Sequence, residues 1–238
     1  MQRYFARVYG KDALLTKDDA FHLTKVMRCR TGDKIEVVAD DKVYLCEVKS
    51  AKPLQIAVKR EIKENNELRC HVVLVAALLK GDHMDMVVQK ATELGVEEVV
   101  FLSSERTIVK IKTSDQENKF ERFRRIAKEA AEQSKRSFIP YIHRIIKIDG
   151  LKDIKANLKL IAYEGMQGTA DNLAKKVSAL KDGQRVAIVI GPEGGFTPEE
   201  INTANYYGFK KVGLGKRILR AETASMYALS VIANALEQ

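Results

Sequence analysis

Two rhythms of apolar and polar positions divide the chain. Up to residue 69 the apolar residues come in short runs broken by turn signals. QRYFARVY (2–9) predicts a strand, and Thr16 predicts the cap of a short helix running to about Met27. IEVVADDKVYLCEV (35–48) and LQIAVKREI (54–62) predict further short strands, with turns at Asp40-Asp41 and Lys52-Pro53. Short strands with a single helix suggest a small β-barrel. The polar segment KENNELR (63–69) reads as a linker.

From Cys70 the rhythm changes to strands alternating with helices. HVVLVAALL (71–79) is an almost unbroken apolar run, the pattern of a strand buried on both faces. MDMVVQKATELG (84–95) reads as a helix with Gly95 just past its end. VEEVVFL follows, then a helix from about Asp115 to Lys135 whose apolar face is Phe120, Phe123, Ile126 and Ala130. Strand LKLIAY, helix NLAKKVSAL (172–180), strand RVAIVI (185–190), helix 198–207, strand KVGLG and helix ETASMYALSVIANAL complete the set. This alternation predicts an α/β domain over 70–238 with a mostly parallel sheet, preceded by the barrel domain over 1–69.

Three strand ends carry unusual chemistry: AYEG (162–165), GPEGG (191–195) and GLGKRILRAET (213–223). The second leads into Thr197, Pro198 and Glu200, a capping box with proline at the first helical position. Glycine turns let the backbone approach a ligand closely, and ligands of parallel sheets bind beyond the carboxyl ends of the strands. Neither the dinucleotide fingerprint G-x-G-x-x-G nor the phosphate loop G-x-x-x-x-G-K-[ST] is present. GPEGG also places a carboxylate in its turn, which disfavours a pyrophosphate and suits a neutral or cationic adenosine derivative.

Composition narrows the class further. No apolar run reaches the length of a membrane span, and MQRYFARVYG does not read as a signal peptide, so a cytoplasmic protein without membrane contact is expected. Cys29, Cys46 and Cys70 are odd in number and far apart, which supports neither a disulfide framework nor a metal site. His83, in GDHMD, likewise has no partner at metal-ligand spacing. The net charge is +9, and residues 110–147 hold eleven Lys/Arg against five Asp/Glu. Such clustering suits a phosphate-rich partner, although i,i+4 pairs such as Glu121/Arg125 and Lys128/Glu132 also suit a solvated helix.

VIGPEGGF (189–196) and LGKRILRAETA (214–224) resemble the signatures of the knotted SPOUT methyltransferases, specifically the RsmE family. HLTKVMR (22–28), QKATELGV (89–96), SSER (103–106) and EAAEQSKR (129–136) recur in the same order, so the resemblance spans both domains. It implies S-adenosylmethionine-dependent methylation of N3 of a uridine in 16S ribosomal RNA. It also implies a PUA-like N-terminal barrel, a C-terminal trefoil knot and a homodimer, with ribosomal RNA or the small ribosomal subunit as partner.

The same resemblance places the cofactor among the three turns, at Tyr163, Glu164, Gly191, Pro192, Glu193, Gly194, Gly195, Leu214, Gly215, Ile218 and Leu219. Uridine N3 is protonated at neutral pH, so its methylation needs a base or a cation that stabilises the charge left on the ring. Arg220 and Glu222 are the candidates for charge stabiliser and base. Arg3, Arg7, His22, Lys25, Arg28 and Arg136 are the candidates for RNA contact. A SPOUT enzyme acting on another nucleoside, or a non-catalytic RNA-binding protein of the same fold, stays open at this point.

Overall fold

A computed structural model describes residues 1–166 and 173–237. The chain divides into two compact units, residues 1–67 with 131–138, and residues 68–130 with 139–238.

The first unit is a six-stranded sheet. Its strands are β1 (Arg3–Phe5), β2 (Arg7–Tyr9), β3 (Asp12–Leu14), β4 (Lys34–Ala39), β5 (Lys42–Ala51) and β6 (Leu54–Ile62). The spatial order β1-β4-β5-β6-β3-β2 makes β1 and β2 the two edges, yet Ala6 alone joins them. Two Cα steps span at most ~7.6 Å, whereas six flat strands would span ~24 Å. The sheet must therefore curl until its edges meet, which is the expected barrel. The single strand expected over 2–9 is thus two strands, and β3 was not foreseen. Helix α1 (Lys17–Phe21) begins as expected, with the Thr16 side chain accepting from the Asp19 N–H. A π-helical turn, His22–Val26, continues it. Tyr4, Leu23, Ile35, Val37, Cys46 and Val48 form the core of this unit.

The expected linker instead supplies ion pairs. Arg3, only 2% exposed, donates to Glu36 Oε2 at 2.9 Å, to Glu64 Oε2 at 3.2 Å and to the carbonyls of Lys135 and Arg136. Arg136 is 3% exposed and donates twice to Glu67 Oε2, at 2.6 and 2.9 Å. Both arginines are candidates for RNA contact in the sequence. They are enclosed because the buried Glu36, the half-buried Glu67 and the more exposed Glu64 already pair with them, and a solvated phosphate would have to displace those carboxylates.

The second unit is a six-stranded, wholly parallel sheet of order β12-β10-β11-β7-β8-β9. Its strands are β7 (His71–Ala77), β8 (Glu98–Ser103), β9 (Tyr141–Lys147), β10 (Leu158–Ala162), β11 (Arg185–Ile190) and β12 (Lys210–Val212). Helices α2 (His83–Glu93), α3 (Thr113–Gln133), α4 (Leu173–Ser178), α5 (Pro198–Tyr206) and α6 (Ala221–Leu236) connect or follow them. Strand alternation sends Val72, Leu74, Val186 and Ile188 to one face, against residues of α2, α3, α4 and α6. Val73, Val75, Ala187 and Val189 reach the other face, against Ile201 and Ala204 of α5. Asn172, the expected first residue of the fourth helix, lies outside the described residues. Cys46 and Cys70 are buried and free, and Cys29 is half-buried.

The Glu36 cluster sets a pH dependence. Burial raises the Glu36 pKa, but hydrogen bonds from Lys135 and Arg3 outweigh it and hold the carboxyl below its ordinary value. A depressed folded-state pKa contributes stability above the unfolded value that is lost as pH falls through the folded value. Glu36→Gln should therefore cost about 3 kcal/mol at neutral pH, because Arg3 and Lys135 lose the carboxylate they share, and progressively less in acid. Urea denaturation across that range measures it, and an equal loss at both ends would rule out the charged pair as the cause.

Candidate active site

The candidate site lies where β10, β11 and β12 end. β11 leaves the sheet into Gly191–Gly195, a turn closed by the Gly195 N–H donating to the Pro192 carbonyl at 2.9 Å. Gly195 has φ +68°, a left-handed conformation that a side chain with a Cβ adopts only under strain. Two side chains fix this turn from outside. Arg106 Nη1 donates to the Gly194 carbonyl at 2.9 Å. Glu200, 5% exposed, accepts from the Thr197 N–H at 3.0 Å and from the Glu105 N–H at 2.8 Å. The capping box read from the sequence is complete, since the Thr197 hydroxyl also accepts from the Glu200 N–H at 3.2 Å. One buried carboxylate thus starts α5 and ties it to the loop after β8.

The three turns enclose a cavity of about 280 Å³. Tyr163 and Glu164 line it from the end of β10, and Gly191, Pro192, Glu193 and Gly195 from the end of β11. Leu214, Gly215, Ile218, Leu219 and Arg220 line it from the loop between β12 and α6. Ala162 and Ile190 add apolar surface, and Arg217 adds a second cation. Arg217 was missed, though it stands in the same quoted motif as Arg220.

Two expected residues lie elsewhere. Gly194 is not part of the lining, because its carbonyl is turned toward Arg106. Glu222 is not part of it either. Successive helical residues are rotated by about 100°, so with Ala221 and Ala224 on the cavity, Glu222 faces away. Its Oε1 lies 3.6 Å from Nδ1 of His83, at the start of α2. The structure therefore gives Glu222 and His83 a shared place outside the cavity. Arg220 is the residue before α6 and makes no side-chain capping bond. It is exposed and makes no ion pair among the described residues.

In the first unit, Arg7, Lys25 and Arg28 are exposed, as a role in RNA contact requires. His22 Nδ1 is 3.0 Å from the Tyr4 hydroxyl, and the two rings meet edge-on with centroids 5.9 Å apart. Burial, helped by the Glu132 carboxylate, pushes the Tyr4 hydroxyl up to about 12, so it keeps its proton at neutral pH.

The chain matches the RNA methyltransferase domain family over residues 66–233 and the RNA methyltransferase PUA domain family over residues 15–59. It is 34% identical to ribosomal RNA small subunit methyltransferase E of Bacillus subtilis, over 98% of this chain and 96% of that protein. The protein of the same name from Mesomycoplasma hyopneumoniae is 32% identical, over 97% of this chain and 98% of its own. The crystal structure of ribosomal RNA small subunit methyltransferase E from Neisseria gonorrhoeae, bound to S-adenosyl methionine, superposes with TM-score 0.83. That pair is 27% identical and covers 98% of this chain and 97% of the other.

Gly195→Val should leave the chain folded but weaken binding of S-adenosylmethionine about tenfold or more. A β-branched residue is strained at φ +68° and must either distort the turn or leave it. Calorimetric titration measures this, with circular dichroism as the check on folding. Unchanged affinity would make the turn structural only.

Proposed function

Because the chain belongs to the ribosomal RNA small subunit methyltransferase E family, we propose that it methylates N3 of a uridine in 16S ribosomal RNA, as a cytoplasmic homodimer using S-adenosylmethionine. The observation that carries this reading is the meeting of three backbone turns and Arg220 around one cavity at the strand ends. The lining fits that cofactor. Ala162, Ile190, Leu214 and Leu219 give an apolar wall suited to a purine. Glu164 and Glu193 bring negative charge suited to sulfonium and ammonium groups, and Arg217 brings a cation suited to a carboxylate. When bound, S-adenosylmethionine supplies an electrophilic methyl group.

The work left to the protein concerns the uracil. Loss of the N3 proton spreads negative charge over the two flanking carbonyl oxygens, and Arg220 is placed to stabilise it. With Glu222 directed toward His83, Glu164 and Glu193 are the carboxylates at the cavity. Arg7, His22, Lys25 and Arg28 remain the proposed RNA contacts of the first unit.

The trefoil knot is carried by the resemblance, while one exposed residue suits the homodimer. Ile218, 78% exposed at the rim of the cavity, suits burial against a second copy. Among the described residues no helix is long and apolar enough to cross a membrane.

Arg220→Lys tests the assignment. Ammonium keeps the charge but not the planar fork, so single-turnover methylation should fall about 10²-fold, while affinity for RNA and cofactor changes far less. A rate near wild type would remove Arg220 from the chemistry. A loss of RNA affinity in proportion to the rate would make it a binding residue instead. Absence of any methyl transfer by the wild-type chain would overturn the proposed function itself.

A further inference from the structure

Phe21 closes α1 and is 61% exposed, an unusual position for a phenylalanine with a barrel core beside it. Leu23, two residues on, fills that core instead. Lys17 lies four residues before Phe21 and Lys25 four after it, so an exposed ring stands between two exposed ammonium groups along one helix face. The π-helical turn preserves this alignment, because the Met27 N–H reaches back to the His22 carbonyl at 2.9 Å and widens the turn beneath Lys25. Asp18 is the one exposed carboxylate between residues 17 and 28. Asp19 is turned inward, where it accepts from the Thr16 hydroxyl at 2.7 Å. The outer face of the β2–β3 hairpin repeats the arrangement on another element, with Tyr9 exposed two residues from Arg7.

Exposed rings flanked by cations have a specific chemical complement. A duplex offers phosphates but keeps its bases stacked on each other, so a protruding phenyl ring has nothing to pair with. An unpaired strand offers both a base face and the phosphates on either side of it. We propose that this face of the first unit recognises unpaired RNA, with one base stacked on Phe21 and the flanking phosphates held by Lys17 and Lys25. The proposal deepens the reading of the chain as an RNA methyltransferase and agrees with its chemistry. N3 lies on the Watson–Crick edge of uracil, so the target must be unpaired when it reacts.

The test uses the full chain and a short RNA carrying one 2-aminopurine, whose fluorescence is quenched by stacking, offered single-stranded or annealed to its complement. Wild type should bind the single strand more tightly than the duplex and quench the probe. Phe21→Ala should weaken single-strand binding about tenfold and abolish the quenching, with the salt dependence of affinity unchanged, and Phe21→Trp should restore both. Unchanged S-adenosylmethionine affinity and an unchanged melting temperature keep the loss assigned to stacking. Equal affinity for duplex and single strand, or full quenching by Phe21→Ala, overturns the proposal. So does a loss confined to the salt slope, which would leave the face a purely electrostatic contact. The probe needs no methyl transfer, so failure of the enzymatic reading would show separately, as wild type that stacks RNA but does not methylate it.

Discussion

Parallel pairing is the constraint from which the site follows. β12, β10 and β11 are neighbours and run in one direction, so their carboxyl ends reach the same edge about 4.8 Å apart. Three turns leaving such adjacent ends must converge, and their backbone groups, released from the ladder, face a common space. The residues placed there need only be small, turn-forming or apolar, and that is what GPEGG and the GLGKRIL loop supply. The remaining demand is rigidity. The buried Glu200 carboxylate and the Arg106 guanidinium meet it from outside the cavity, without occupying it.

The first unit answers a different demand. It is small, and a small core leaves much of its order to specific polar pairs. Arg3 and Arg136 are spent on that order, each enclosed by carboxylates distant in sequence. Of the cations left in solvent, Lys17 and Lys25 flank the exposed Phe21, Arg7 stands two residues from the exposed Tyr9, and Arg28 follows on the same segment. An inner set of charges that organises the barrel and an outer set free for a polyanion come from the same residue types, separated by burial alone.

What the sequence disclosed was mostly local. The Thr197 capping box, the Gly95 helix end, the Asp40-Asp41 turn and the β11 boundaries depend on a few adjacent residues, and each appears as read. The order of the strands was not disclosed, nor the split of residues 2–9, because both depend on which strand finds which partner. β9 is not legible in the sequence because YIHRIIK (141–147) lacks strict alternation, and its pairing with β8 is irregular between Val99 and Phe101. The site divides in the same way. The turn residues converge as expected, since consecutive strand ends are enough to place them. Glu222 points toward His83 because its direction depends on how α6 packs against α2, and Arg3 and Arg136 are enclosed by carboxylates that lie 33, 61 and 69 positions away in sequence, a pairing no local pattern discloses.

The chemistry of the modified nucleoside tests the whole reading most directly. Small ribosomal subunits from cells lacking this protein would be incubated with the purified chain and S-adenosylmethionine carrying an isotopically labelled methyl group. Nucleoside mass spectrometry of the digested RNA then locates the label. The expected result is labelled 3-methyluridine, confined to one position of the RNA. Label on a ribose hydroxyl, on another base or on no nucleoside would contradict it.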